Sequence, residues 1–155
     1  MNDFSDLLVS DAVILNAKAA NKKALFRLIA RRMAKIAGLD ADTVEAELHS
    51  RERLASTGFV GGIAIPHGRL DGLAKPTGLF LRLAEPIDYG SVDDLPVDCV
   101  FALLSPTGSG TAHLRALARI SRSLRDEDFL AKLRGARSED ALYALLMHLE
   151  AIDAA

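Results

Sequence analysis

The sequence holds one cysteine, no excess of positive charge and no apolar run long enough to cross a membrane. A single thiol makes no intrachain disulfide and leaves no cysteine cluster with zinc spacing. Cys99 lies in the apolar run 97–104 and reads as a small buried hydrophobe. A formal net charge of −2 argues against a dedicated nucleic-acid binder, which usually carries a strong basic excess. The longest apolar runs are strand-sized, well below the roughly 20 residues of a spanning helix. The chain opens Met1-Asn2-Asp3-Phe4-Ser5-Asp6, acidic and without the basic region of a secretory signal. A cytoplasmic protein is therefore expected. Several catalytic signatures are missing as well. There is no Walker phosphate-binding pattern, and Gly58, Gly61 and Gly62 do not make Gly-x-Gly-x-x-Gly. No Gly-x-Ser-x-Gly elbow supports a hydrolase assembled from Ser56 and His67. His49, His67, His113 and His148 form no close pair, which disfavours a metal site.

What is present is an ordinary globular composition: 155 residues, half of them apolar and 26% charged. A chain of this length buries roughly 70% of its unfolded surface and needs no disulfide or metal to fold. No repeat, low-complexity tract or long linker divides it, so a single domain over residues 1–155 is expected. Strands are expected at 13–15, 63–65, 77–84 and 97–104. The last is almost continuously apolar, as a central strand covered on both faces would be. Helices are expected at 22–37, 41–54, 112–124, 127–134 and 139–151, with Asn21, Asp40, Asp126 and Ser138 as N-caps. In the first, Leu25, Leu28, Ile29, Met33 and Ile36 share one face, and Lys23, Arg27, Arg31 and Lys35 form a solvated face opposite. The stripe of the second is Val44, Leu48 and Leu54; the last helix buries Leu142, Leu145, Leu146 and Leu149. His49 and His148 fall off these stripes and are expected at the surface. Strands interleaved with helices give an α/β class, with helices covering the sheet.

Three residues break the local pattern. Arg51 lies on the apolar stripe of helix 41–54, where a charge needs a partner or a purpose. His67 follows Ile63-Ala64-Ile65-Pro66, at a point where the strand is expected to end and Gly68 to permit a bend. His113 sits in the first turn of helix 112–124 on its inward side, with Leu117, Ile120 and Leu124. Imidazole is a good nucleophile near neutral pH. A second imidazole and a guanidinium are suitable donors to a phosphoryl group. Backbone N–H groups of the turn 58–62 and of the start of helix 112–124 are candidates for further donors.

The stretch Ser56-Thr57-Gly58 followed by Gly62-Ile63-Ala64-Ile65-Pro66-His67-Gly68 resembles the signature of the mannitol/fructose-class enzyme IIA phosphocarriers, in particular the nitrogen-type enzyme IIA of bacterial phosphotransferase systems. The resemblance takes in Arg51-Glu52, Pro86-Ile87-Asp88-Tyr89, Asp94-Leu95-Pro96-Val97-Asp98 through Pro106, His113-Leu114-Arg115-Ala116-Leu117-Ala118 and Leu133-Arg134, nearly the whole chain. It implies a mixed sheet of about five strands with helices on both faces. It implies His67 as acceptor of a phosphoryl group on Nε2 from an HPr-like phosphocarrier, with His113 stabilising that group and Arg51 balancing charge or ordering the loop. Ser56, Thr57, Gly58 and Gly62 would form the supporting loop. One departure is Val60, where the family usually has glycine; a β-branched residue avoids positive φ, so the loop facing His67 is expected to change shape there.

No metal or nucleotide cofactor is expected, because the incoming group is already activated. The resemblance implies a regulatory role, with sensor kinases and potassium-transport proteins as further partners and neither nucleic acid nor membrane insertion involved. Two alternatives stay open from the residues. One is a binding module whose docking does not depend on phosphorylation. The other is a sugar-specific fructose or mannitol enzyme IIA that passes phosphate to an enzyme IIB. Phe59 and Val60, apolar in a turn, either form a docking rim beside His67 or pack inward.

Overall fold

The computed structural model describes residues 2–148 and shows one α/β domain: a mixed, open five-stranded sheet with five helices. The elements run β1 (Val13–Ala17), α1 (Lys22–Ala37), α2 (Ala41–Leu54), β2 (Ile63–Ala64), β3 (His67–Leu70), β4 (Thr77–Ile87), β5 (Val97–Pro106), α3 (Thr111–Arg125), α4 (Glu127–Gly135) and α5 (Glu139–Leu146). A single 3-10 turn, Ser10–Ala12, leads into β1.

β5 organises the sheet. Its apolar run puts side chains on both faces, and all residues from Cys99 to Ser105 are buried. Phe101 packs edge-on against Phe4 and Phe80, with ring centroids 5.0 and 6.1 Å away. β4 pairs antiparallel with β5, and β1 pairs parallel with the far side of β4. On its other side β5 carries β2 and β3 in succession, both parallel. Ile63 faces Cys99 and His67 faces Leu103, so the register is unchanged across the gap between the two segments. Pro66, which has no N–H, fills that gap while its carbonyl still accepts from Leu103 N at 3.0 Å. His67 therefore opens a strand rather than ending one. Gly68 makes no bend either. It lies inside β3 where α2 crosses, and a Cβ there would stand 2.7 Å from Cγ of Glu47.

The helices form two groups. α1 and α2 pack on each other and reach β4 and β3; α3, α4 and α5 form the second group and reach β5 and β1. Local sequence explains their ends. Asn21 Oδ1 accepts from Ala24 N at 2.8 Å and starts α1. Gly38, at φ +69°, closes it with its N–H on the Ala34 carbonyl. Asp40, Asp126 and Ser138 cap α2, α4 and α5 as expected.

Several expectations need correction. β1 continues to Ala17, past a register irregularity at Asn16, which takes φ +57°. β4 extends past the expected end at 84 through Pro86 and Ile87, and β5 runs past 104 to take in Ser105 and Pro106. α5 stops at Leu146, and residues 147–148, expected to continue it, form a turn with His148 at φ +61°; the rest of the expected helix, 149–151 with Leu149, lies outside the described residues. Leu54 is 81% exposed, because the last turn of α2 runs past the edge of the core. His49 is half-buried rather than solvated, tilted against Phe26 at 4.9 Å and 3.6 Å from Glu45. His148 is exposed, as expected.

Candidate functional site

The site forms where three elements meet: the start of β3, the first turn of α3 and the loop that follows α2. His67, the first residue of β3, is half-buried. Its Nδ1 lies 2.7 Å from the carbonyl oxygen of Ile65. A carbonyl only accepts, so Nδ1 carries the ring proton and Nε2 holds a lone pair. The ring of His113 faces it, centroid to centroid 5.7 Å and inclined by 51°. His113 is buried at the start of α3, and its Nδ1 lies 2.6 Å from Oγ of Ser105.

Both imidazoles are held neutral at pH 7. Burial lowers the pKa of His67; the Ile65 carbonyl opposes this, while the charges of Arg51 and Arg69 add to the depression. Burial, with Arg69 and His67 beside it, brings His113 down to about 4. A neutral imidazole with a free Nε2 is the nucleophilic form.

Arg51 is half-buried in the last turn of α2 and donates through Nη1 to the Ala55 carbonyl at 2.9 Å. It tidies the end of the helix and forms no ion pair with Glu52. The carboxylate of Glu52 instead accepts from Thr57 N at 3.0 Å, from Thr57 Oγ1 at 2.5 Å and from Lys22 Nζ at 2.9 Å. Tyr89 OH completes the set, 2.7 Å from Thr57 Oγ1 and 3.4 Å from Glu52 Oε1. Burial and the Glu52 charge push the tyrosine hydroxyl far above its ordinary range, so it stays protonated.

This buried network anchors the loop 56–62. Ser56 Oγ accepts from Gly58 N at 3.1 Å, Phe59 N donates to the Ile63 carbonyl at 2.8 Å, and Ile65 N donates to the Thr57 carbonyl at 3.0 Å. Gly58 lies so close to Ser91 Oγ and Tyr89 that no Cβ fits. At the other end, Gly61 N donates to Asp93 Oδ2 at 3.0 Å, and Arg134 Nη2 donates to the Gly61 carbonyl at 2.7 Å. Arg134 is itself held by Asp98, which its Nη2 reaches at 2.7 Å. Backbone donors expected to be free are thus occupied: those of Gly58, Phe59 and Gly61, and that of Ala112, which goes to Ser109. Val60 causes no distortion. The left-handed steps fall on Gly61 (φ +89°) and Gly62 (φ +83°), and Val60 keeps negative φ. Phe59 and Val60 point outward, 38% and 68% exposed, and Leu54 and Leu114 are exposed as well.

Matching the chain against family descriptions identifies residues 6–148 with "Phosphoenolpyruvate-dependent sugar phosphotransferase system, EIIA 2". The chain belongs to this EIIA family. A "Nitrogen regulatory protein" of Bradyrhizobium diazoefficiens is 44% identical over 142 residues, 92% of this chain and 93% of that one. A "PTS system fructose-specific EIIA component" of Haloferax volcanii is 41% identical over 107 residues, 69% and 70% of the two chains. Among solved structures, the nitrogen regulatory protein IIA-Ntr of Neisseria meningitidis superposes with a TM-score of 0.86 at 30% identity, covering 91% of this chain and 97% of that one.

Within this EIIA fold the structure brings His67, His113 and Arg51 to one place and sets Thr57, Gly58 and Gly62 in the loop after α2; Ser56, exposed, accepts from Gly58 N in that turn. Sequence reasoning missed Ser105, Arg69 and the anchoring work of Glu52, Tyr89 and Lys22. Arg69 had a signal: it stands two residues after His67, on the same side of any strand the two share. Ser105 had a weaker one, as a polar residue closing an apolar run. The bond from His67 to the Ile65 carbonyl had none.

Proposed function

We propose that this EIIA protein is a phosphohistidine carrier, accepting a phosphoryl group on Nε2 of His67 from an HPr-like phosphocarrier. The observation that carries the reading is the tautomer: Nδ1 is committed to Ile65 at 2.7 Å, and Nε2 is left as a nucleophile next to a second imidazole. In the transfer the lone pair of His67 Nε2 forms the new N–P bond. The donor's N–P bond breaks, and its electron pair stays on the donor nitrogen. No proton moves if the donor's other ring nitrogen carries one, because His67 keeps its Nδ1 proton. The positive charge that develops on the His67 ring then strengthens its bond to the Ile65 carbonyl. Little covalent work is left for the protein, so positioning and electrostatics dominate. The transfer calls for the His113 tautomer in which Ser105 donates to Nδ1, 2.6 Å away, so that Nε2–H of His113 donates to a phosphoryl oxygen. Arg51 balances the incoming negative charge and holds the end of α2 beside the loop.

The apolar rim of Leu54, Phe59, Val60 and Leu114 is the docking face for the donor. The relay is cytoplasmic, where such donors reside. We take its principal role as regulatory, in nitrogen- and potassium-linked signalling through sensor kinases and potassium-transport proteins, because relatives over nearly the full length carry the name nitrogen regulatory protein. Likeness to a fructose-specific EIIA component supports a second reading, in which phosphate passes to an enzyme IIB. The test is intact-protein mass after incubation with phosphoenolpyruvate, enzyme I and the HPr-like carrier, wild type beside His67→Ala. Gain of one acid-labile phosphoryl group in wild type alone is expected. No gain with active donors would overturn the carrier reading in favour of a binding module, and onward transfer to an enzyme IIB would favour the sugar relay.

A further inference from the structure

Arg51, the guanidinium expected from the sequence, already uses one of its N–H groups on the Ala55 carbonyl. Arg69 is differently placed. β3 alternates half-buried and buried residues, which puts His67 and Arg69 on one face and Gly68 and Leu70 on the other. Across the sheet Arg69 pairs in register with Ser105, the residue whose hydroxyl lies 2.6 Å from Nδ1 of His113. Arg69 thus stands beside both imidazoles at once. It is the cation whose field reaches both of them, whereas that of Arg51 reaches His67. Among the described residues its guanidinium has no hydrogen-bond or ion-pair partner. Asp71, the next residue on that face, is taken by Thr107 Oγ1 at 2.5 Å, and Glu47 lies across β3, against Gly68. A half-buried, unpaired guanidinium beside two neutral imidazoles is suited to receive an oxyanion, and its planar fork fits two phosphoryl oxygens at a time.

We propose that Arg69 is a phosphoryl-binding residue of this site, its guanidinium engaging the oxygens of the group transferred to His67 while His113 donates from the opposite side. The proposal rests on His67 being the phosphoryl acceptor. It also gives the site a positive charge that needs no rearrangement when the dianion arrives.

The test compares wild type, Arg69→Gln and Arg69→Lys in single-turnover transfer from phosphorylated HPr-like carrier, at rising donor concentration. Thermal unfolding and NMR titration of the two histidines accompany the kinetics. With Tm unchanged, Arg69→Gln is expected to lower the rate at saturating donor at least tenfold and to shift the phosphoryl equilibrium toward the donor. His67 and His113 should then both titrate at higher pH, since a nearby positive charge has gone. Arg69→Lys should fall between, keeping charge but losing the fork. Wild-type rate and equilibrium in Arg69→Gln would overturn the proposal while leaving His67 as acceptor. So would a change confined to the donor concentration needed, which would make Arg69 a docking residue. Absence of any transfer to wild type would overturn the carrier reading, and this proposal with it.

Discussion

Replacing Glu52 should destabilise the protein and release the loop that faces His67. Its side chain is 8% exposed and takes hydrogen bonds from Thr57 N, Thr57 Oγ1, Lys22 Nζ and Tyr89 OH. Removing one partner of a buried ion pair costs about 3–5 kcal/mol, since the groups left behind stay desolvated. Lys22, 28% exposed, can turn its ammonium to water, which puts Glu52→Ala near the lower end, about 3 kcal/mol. For a chain of this size that corresponds to a fall in Tm of about 6–12 °C. Glu52→Gln can still accept from Thr57 but loses the charge facing Lys22, so it should lose about half as much. Acid titration adds a second readout. Burial alone would push the Glu52 carboxyl up, but the bonds from Thr57 and Lys22 together outweigh it and hold it below the usual range. A lowered folded value means that this stabilisation is complete above the ordinary carboxylate range and is lost as pH falls through the lowered value. Urea unfolding followed by circular dichroism, from pH 7 down to pH 3, measures both effects. A loss below about 1 kcal/mol for Glu52→Ala at pH 7 would refute the network as the loop's anchor.

Two further outcomes follow from the same geometry. Gly62→Ala should cost more than 1 kcal/mol in chemical denaturation and slow phosphoryl acceptance: at φ +83° its Cβ would meet Arg134 Nη2 at 2.7 Å and the Pro96 carbonyl at 3.2 Å. An unchanged midpoint would show that the Arg134 clamp yields freely. The second concerns His113, whose pKa burial, Arg69 and His67 bring to about 4. The folded state then favours the neutral ring, so this contribution is complete above the unfolded value near 6.5. It is lost as pH falls from there toward 4, about 3 kcal/mol in all. His113→Gln should flatten that part of the stability profile, and an unaltered slope between pH 6.5 and 4 would contradict the shift.

The parts of the fold that were legible in the sequence are those fixed by local chemistry. Asn21 and Gly38 bracket α1, and the unbroken apolar run of β5 announced a strand with cover on both faces. β3 was not legible, since His-Gly-Arg-Leu has little strand preference of its own and becomes a strand by pairing with β5. Leu54 was misread for a related reason: periodicity identifies a face of a helix but not where the core beneath it ends. At the site, His67, His113 and Arg51 stood out as polar residues in apolar positions. Arg69 did not, because without β3 there was no face for it to share with His67. Glu52 appeared only as the neighbour of Arg51 in the resemblance. Adjacent residues on a helix point about 100° apart, and the structure sends them to different tasks.

The arrangement separates what is fixed at His67 from what can be tuned. In many histidine sites a carboxylate side chain sets the tautomer, and a single substitution removes it. Here the acceptor for Nδ1 is a backbone carbonyl two residues earlier in the same strand line. Pro66 has a fixed φ and keeps Ile65 out of the helical region, so Ile-Pro-His is locally disposed to the extended path along β5. No side-chain exchange at Ile65 takes its carbonyl away. The direction of the Nε2 lone pair is therefore built into the main chain, and its protonation is kept low by burial. What side chains control is the surrounding charge: Arg69, Arg51, and the hydroxyl of Ser105 behind His113. Substitutions at these three should alter the rate and equilibrium of the proposed transfer while leaving the tautomer of His67 unchanged. The ¹⁵N shifts of its two ring nitrogens report that directly. A variant at Arg69 or Ser105 that moved the proton from Nδ1 to Nε2 would show that the main-chain bond alone does not hold it.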